Sequence, residues 1–330
     1  MTAFPKSPRL REIYRGVEAE LEAVEAELRR MGENGNPLVA EVNAYLLDGG
    51  GKRVRPALLI LASRLFDYRG RDHIFWSAII ETIHTASLVH DDIVDNATLR
   101  RGRDTVHARW GSNITVLLGD FLYIRSITLA LRTRATPIID VIAEATAQMI
   151  EGEIIESSIM GRTDVGEAVY MDVLDKKTAS LFNAACRIGG LVAGAPTEEV
   201  ERLGAFGTNL GLAFQIVDDL LDFTSDAATL GKPVLSDFRE GRLTLPVLHA
   251  LGRADAAGRA EIAGLVRDRT TDPSVPARVL EIVSPEALED SRAKARELVA
   301  RAKDGLAAFP RSDARDALSS IADLVLERRS

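Results

Sequence analysis

Asp91, Asp92 and Asp95 form one acidic cluster, and Asp218, Asp219 and Asp222 repeat its spacing far along the chain. On an α-helix, residues i and i+4 share a face, so Asp91 with Asp95, and Asp218 with Asp222, each send two carboxylates in one direction. Like charges so close repel and weaken a helix end unless a cation neutralises them. One such cluster is most simply a solvated acidic helix end. Two of them, each following an apolar run that ends near His90 or at Val217, ask for a bound cation. Oxygen-only ligation favours Mg²⁺, which keeps most of its waters and is held by a few carboxylates together with substrate phosphates. The five histidines include no pair at metal-ligand spacing on a helix, so zinc and di-iron centres lack donors. The aspartate spacing also lacks the alternation and the glycine of a calcium loop.

Phosphates bridging to such metals need positive partners nearby. Residues 49–56 join three glycines, where backbone can approach an anion, to Lys52, Arg53 and Arg55 and then to Pro56, which can open a helix. The spacing is not that of a P-loop. Arg100, Arg101 and Arg103 surround Gly102 just after the first acidic cluster. Lys177 and Thr178 sit in an apolar helical stretch, Gln215 lies three residues before Asp218, and Lys232 follows Gly231 in a loop beyond the second cluster. Each of these taken singly reads as structural. A formal charge of -8 excludes a general nucleic-acid surface, so any phosphate must be met by these local clusters.

Presenting these groups requires long helices. Apolar residues recur at three- and four-residue steps through Leu10, Ile13, Val17, Leu21, Val24, Leu28 and Met31, which predicts one amphipathic helix. A second helix is expected over 37–47, with Pro37 in its first turn. Residues 57–65, 74–95, 114–131, 138–158, 169–192, 198–223 and 243–251 also read as helical, and 285–329 carries helical apolar spacing again. Helices 74–95 and 198–223 are apolar around much of their circumference, which predicts central positions, and both end in the acidic clusters. No series of β-branched runs alternates at period two, and no short repeat is present, so the expected fold is all-α. With 46% apolar and 27% charged residues and no linker-like stretch, residues 1–330 read as a single globular domain. The lone cysteine, Cys186, excludes an intrachain disulfide. The amino terminus lacks a signal-peptide pattern, and the apolar runs fall short of the ~20 residues that span a bilayer. Cytoplasmic residence without a membrane span is the expectation.

Taken in order, these elements resemble the trans-isoprenyl diphosphate synthase family, also called polyprenyl synthetases, over about residues 49–246. The resemblance implies a bundle of long helices around a deep central cavity, usually as a homodimer. It implies that Asp91, Asp92 and Asp95 form the first aspartate-rich motif, and Asp218, Asp219 and Asp222 the second. The two would meet across an apolar pocket and share Mg²⁺, on the order of three ions with the diphosphate bound. Isopentenyl diphosphate would be held by Lys52, Arg55, His84 and Arg101, and the allylic diphosphate by Arg100, Lys177, Thr178, Gln215 and Lys232. Of the residues the resemblance marks as catalytic, Lys177 would help neutralise the departing diphosphate, and the Thr178 and Gln215 oxygens would stabilise the allylic cation.

Product length leaves a trace as well. Ile83 and Ser87 share the helical face of Asp91, with Ala86 beside them, so a growing chain would pass these positions. Ala86 and Ser87 are small where short-chain relatives often carry a bulky aromatic, so the segment resembles long-chain, octaprenyl-type members that make quinone side chains. A short-chain product, farnesyl or geranylgeranyl diphosphate, is the alternative. Asp104, Glu156, Leu235 and Arg242 stand where relatives commonly carry Pro or Ala, Gln, Gly and Lys. A class I terpene cyclase would mix other residues into its second motif, and a non-catalytic partner subunit usually loses a motif; this chain keeps both.

Overall fold

The computed structural model describes residues 7–33, 35–100, 102–224, 234–269, 272 and 274–328. Two compact units emerge from the packing: one comprises Met1–Thr146, Leu181–Gly207 and Asp304–Ile321, the other Ala147–Ser180, Thr208–Lys303 and Ala322–Ser330. The described residues are overwhelmingly helical, and an all-α fold is what is found.

In the first unit, α1 (Pro8–Tyr14) and α2 (Glu18–Met31) replace the single amphipathic helix expected over the same stretch. The break falls at Gly16, a residue that costs a helix about 1 kcal/mol relative to alanine. It frees Tyr14, fully buried, to donate its hydroxyl to the Lys52 carbonyl at 3.1 Å. The apolar stripe survives the break, because Leu10, Val17, Leu21, Val24, Leu28 and Met31 are all buried. Next come α3 (Pro37–Asp48), with Pro37 at its start and Asn36 as N-cap, and α4 (Val54–Arg64). Helix α5 (Asp72–Val94) is the centre of this unit and packs on α2, on α4 and on α6 (Val106–Thr133). Ile79, Ile80, Ile83 and Ala86 are fully excluded from water, each isoleucine contributing roughly 1.5–3 kcal/mol by burial. Between α5 and α6 lies a two-residue antiparallel pair unforeseen in the sequence, β1 (Leu99–Arg100) with β2 (Arg103–Asp104). Gly102, at φ 73°, sits in the turn that joins them. Helix α6 begins earlier than its apolar pattern, capped by Thr105, and is interrupted at Gly111.

Helix α7 (Thr136–Ile159) is followed by α8 (Glu167–Leu174), a π-helical turn over Asp175–Ala179, and α9 (Ser180–Val192). A continuous helix was expected there; the wide turn falls on Lys177 and Thr178, and single π turns inside helices often mark functional positions. Helix α10 (Thr197–Thr224) matches its expected span. The second unit continues with α11 (Ser236–Glu240), α12 (Leu245–Arg253), α13 (Ala256–Asp268), α14 (Val275–Ile282) and α15 (Pro285–Leu306), and α16 (Asp313–Leu326) closes the series. Helices α11, α13 and α14 were not anticipated. Two of them are short, of 5 and 8 residues, and the apolar residues of all three join one core with Phe223, Phe238, Val247, Ile262, Val266 and Val279.

Candidate active site

The first acidic cluster ends α5. Asp95 is the C-cap, and Asp91 and Asp95, one turn apart, are partly exposed. Asp92 points the other way, is 4% exposed, and accepts a 2.7 Å bond from the Arg100 guanidinium. The chain folds back just after α5, the Ala97 amide donating to the Asp92 carbonyl at 2.9 Å, and β1 then presents Arg100. Burial raises the Asp92 carboxyl pKa even against the pull of Arg100. Arg101 lies outside the described residues.

The glycine-rich loop is anchored by Arg53, one of its three basic residues, which meets glutamates of the chain rather than standing free for an anion. Arg53 adopts the left-handed conformation, φ 49°, just before α4. Its guanidinium bonds Glu81 at 2.8 Å and pairs with both oxygens of Glu25, all largely buried. Burial works against that charge, but Glu81 and Glu25 outweigh it and raise the Arg53 pKa. The available signal was Glu81, a carboxylate in the middle of an otherwise apolar helix. Arg55 is partly buried and stacks 4.6 Å over the Phe182 ring, and desolvation lowers its pKa to about 10. Its Nε has no hydrogen-bond partner. His84, Arg53, Glu81, Asp92, Arg100 and Arg103 line one cleft of about 80 Å³, whereas Lys52 and Arg55 are beside it in sequence but do not line it. Asp104 also borders this cleft, and its carbonyl accepts the Tyr45 hydroxyl at 2.8 Å. Deeper on α5, Ile83 and Ala86 are fully buried, Ala86 packing with Val42, Val89, Val106, Leu118 and Leu122. Ser87 is partly exposed and donates to the His84 carbonyl at 2.9 Å.

The second cluster lies in the last turns of α10. Asp218 is partly exposed and pairs at 2.9 Å with Arg328, whose guanidinium stacks 4.3 Å from the Phe214 ring centre. Asp219 is buried and accepts from Tyr170 Oη at 2.6 Å and Gln215 Nε2 at 2.9 Å; Gln215 Oε1 in turn accepts the Thr178 hydroxyl at 3.1 Å. Burial, with the charge of Asp237 added, pushes the Asp219 carboxyl well above the usual carboxylate range, while the Tyr170 and Gln215 bonds oppose the shift. Asp222 is 0% exposed, with both oxygens engaged by Ser236 and Asp237. Lys177 rests between Glu153 at 2.6 Å and Glu156 at 2.5 Å on α7. Gly152 lets the two backbones come close, since a Cβ there would lie 2.7 Å from the Lys177 backbone nitrogen. Arg242 pairs with Asp237 at 3.3 Å. Lys232 lies outside the described residues. Tyr170, Glu153 and Arg328 gave no sequence signal, since each acquires its partner only through folding.

At the end of α5, Asp91 and Asp95 are partly exposed while Asp92 is held by Arg100; at the end of α10, Asp218 is partly exposed while Asp219 and Asp222 are buried on protein partners. Partly exposed carboxylate oxygens are donors of the kind a hard dication such as Mg²⁺ takes, completing its sphere with water and substrate phosphate.

All-helical architecture with paired aspartate motifs at helix ends defines a class of diphosphate-handling enzymes. The polyprenyl synthetase family profile matches residues 36–283. Octaprenyl diphosphate synthase of Haemophilus influenzae is 34% identical over 321 residues, 96% of either chain. Polyprenyl synthase of Caulobacter crescentus CB15, solved with calcium and isoprenyl diphosphate, superposes with a TM-score of 0.92 at 34% identity, covering 97% of this chain and 98% of the other. Decaprenyl diphosphate synthase of Rhodobacter capsulatus gives 0.92 at 36% identity, covering 97% and 99%. The chain belongs to the polyprenyl synthetase family and is a prenyltransferase.

Proposed function

We propose that the chain is an all-trans polyprenyl diphosphate synthase that adds isopentenyl diphosphate head to tail onto an allylic diphosphate and releases a medium- or long-chain product for quinone side chains. The observation that carries this reading is the pair of aspartate motifs with partly exposed carboxylates at Asp91, Asp95 and Asp218, in a chain of this family. Bound there, Mg²⁺ would draw charge from the allylic diphosphate as its carbon–oxygen bond breaks. Asp91, Asp95 and Asp218 are the proposed direct ligands, with Asp92 and Asp219 supporting them from behind. Arg100 and Lys177, with Lys232, neutralise the leaving group; Arg100 must turn from Asp92, and Lys177 from Glu153 and Glu156, toward the incoming anion. The Thr178 and Gln215 oxygens face the allylic cation with their dipoles. Lys52, Arg55, His84 and Arg101 hold isopentenyl diphosphate with its double bond toward that cation, and this positioning supplies much of the acceleration. Ile83, Ala86 and Ser87 border the path of the growing chain.

A homodimer in the cytoplasm completes the proposal. Leu117, Ile124 and Leu131, spaced two helical turns apart on α6, are 63%, 64% and 56% exposed. By length and composition α6 could cross a membrane, yet this ridge on a partly buried helix is better covered by a second copy. The test is to incubate the purified chain alone with labelled isopentenyl diphosphate, farnesyl diphosphate and Mg²⁺, and to chromatograph the dephosphorylated products. Products several condensations beyond farnesyl are expected, and none after chelation. Arrest after one addition would overturn the long-chain reading, and complete inactivity with metal present would make the chain a partner subunit.

A further inference from the structure

We infer that Asp222, although spelled as a member of the second aspartate motif, is a positioning residue that caps α11 and fixes the backbone of Ser236 and Asp237, and is not a metal ligand. The inference deepens the magnesium–diphosphate reading of the site and rests on it.

Both Asp222 oxygens are occupied. Oδ1 accepts the Ser236 amide at 3.2 Å and the Ser236 hydroxyl at 3.0 Å, and Oδ2 accepts the Asp237 amide at 3.1 Å. Those amides are the first donors of α11, which lack partners within the helix, so a carboxylate from another element satisfies them and complements the helix dipole. Charge-assisted bonds of this kind are stronger than neutral ones. Turning Asp222 toward a metal would orphan these donors in a place where Ser236 is 8% and Asp222 itself 0% exposed. Asp218, one turn earlier on α10, has a side chain 46% exposed and engages Arg328 through Oδ1.

The backbone reinforces the same junction. The Asp222 carbonyl accepts the Leu235 amide at 3.1 Å. Leu235 holds φ 58°, a conformation that costs a non-glycine residue about 1 kcal/mol or more. Its side chain is wholly buried in the core with Phe223 and Phe238, and this packing holds the strained residue in place. Asp222 therefore staples the end of α10 to the start of α11. The staple also fixes the position of Asp237, which pairs with Arg242 at 3.3 Å.

Mn²⁺ binding in the presence of inorganic pyrophosphate, read by electron paramagnetic resonance, separates the two roles, alongside KM and kcat for farnesyl diphosphate. Asp222→Asn should bind Mn²⁺ within about twofold of wild type, whereas Asp218→Asn should lose about tenfold or more. The same Asp222→Asn protein should raise KM by about fivefold with kcat changed less than about twofold, because displaced groups misplace the substrate. Ser236→Ala removes a bond to Asp222 and no carboxylate; it should shift KM in the same direction, and the double variant should fall short of the product of the two effects. Loss of Mn²⁺ in Asp222→Asn comparable to that in Asp218→Asn would overturn the inference. So would an unchanged KM in Ser236→Ala, which decides the matter alone if Asp222→Asn does not fold. Wild-type protein that binds no Mn²⁺ with pyrophosphate would instead sink the metal-site reading itself.

Discussion

The end of α5 and the end of α10 carry the same five-residue pattern in different surroundings. At the first, the two residues that share a helix face, Asp91 and Asp95, are both partly exposed, and only Asp92 turns inward, to Arg100. At the second, only Asp218 is partly exposed; Asp219 is held by Tyr170 and Gln215, and Asp222 by the start of α11. Helix α5 stops at its motif, and the chain turns away into the hairpin. Helix α10 has α8 and α11 against its last turns, and they claim two of its three carboxylates. Helical periodicity therefore identifies which residues share a face, while the neighbouring elements decide whether that face is open.

The largest effect should break this comparison at its open end. Asp91→Ala is expected to lower kcat by about 10³-fold, the scale of several kcal/mol that metal stabilisation of a leaving group supplies. Its unfolding midpoint should move little, because the residue is partly exposed and its removal relieves repulsion with Asp95. Steady-state turnover and a thermal melt on the same preparation check both halves, and near-normal turnover would remove Asp91 from the ligand set.

Glu81→Gln should act on stability instead. It leaves the buried Arg53 guanidinium with Glu25 as its only charged partner among the described contacts. Breaking a buried pair from one side costs about 3 kcal/mol. Urea unfolding should show that loss, and KM for isopentenyl diphosphate should rise more than KM for the allylic substrate, since Arg53 anchors the loop that carries Lys52. Equal rises in the two constants would detach the anchor from isopentenyl diphosphate binding.

A smaller cost attends Ala86→Phe. The site is fully buried against Val89, Val106 and Leu118, so overpacking should cost about 1–3 kcal/mol. If Ala86 borders the growing chain, the ring also shortens the product without abolishing turnover. Product chromatography at a temperature where the variant is folded decides it, and an unchanged length would take Ala86 off the path.

The helices that bear the motifs were legible because long apolar stretches ending in paired aspartates constrain both periodicity and termination. The basic residues after the glycine run were legible as types but not as tasks. Lys52, Arg53 and Arg55 look alike in sequence, yet Arg53 is tied down by two glutamates from α2 and α5 and Arg55 stacks on Phe182. Which arginine meets Glu81 depends on a left-handed backbone at Arg53 that no local residue preference announces. The same limit hid the π turn at Lys177 and the short helices after α10. Their apolar residues are too few for a periodic signal and become a core only when α11, α12, α13 and α14 are assembled.

Arg328 offers the finest test of the comparison, since it is the one cation seated on the open carboxylate of the second motif among the described contacts. Asp218 is nearly half exposed, so solvent screens the pair and Arg328→Gln should cost at most about 1 kcal/mol of stability. The effect on ligands depends on what the arginine does. As a placeholder counter-ion it competes with the dication, and its loss should tighten Mn²⁺ binding by about threefold. Yet its Nε and Nη1 are buried without hydrogen-bond partners, and Phe214 holds the guanidinium plane, an arrangement suited to receiving an anion. If those two groups take the diphosphate, the same substitution should weaken Mn²⁺ binding once inorganic pyrophosphate is present. Measuring affinity with and without pyrophosphate therefore assigns the arginine. Tightening in both conditions makes it a rival of the metal; tightening without pyrophosphate and weakening with it makes Arg328 a cation that leaves Asp218 for the substrate, the same part proposed for Arg100 on Asp92 at the first motif.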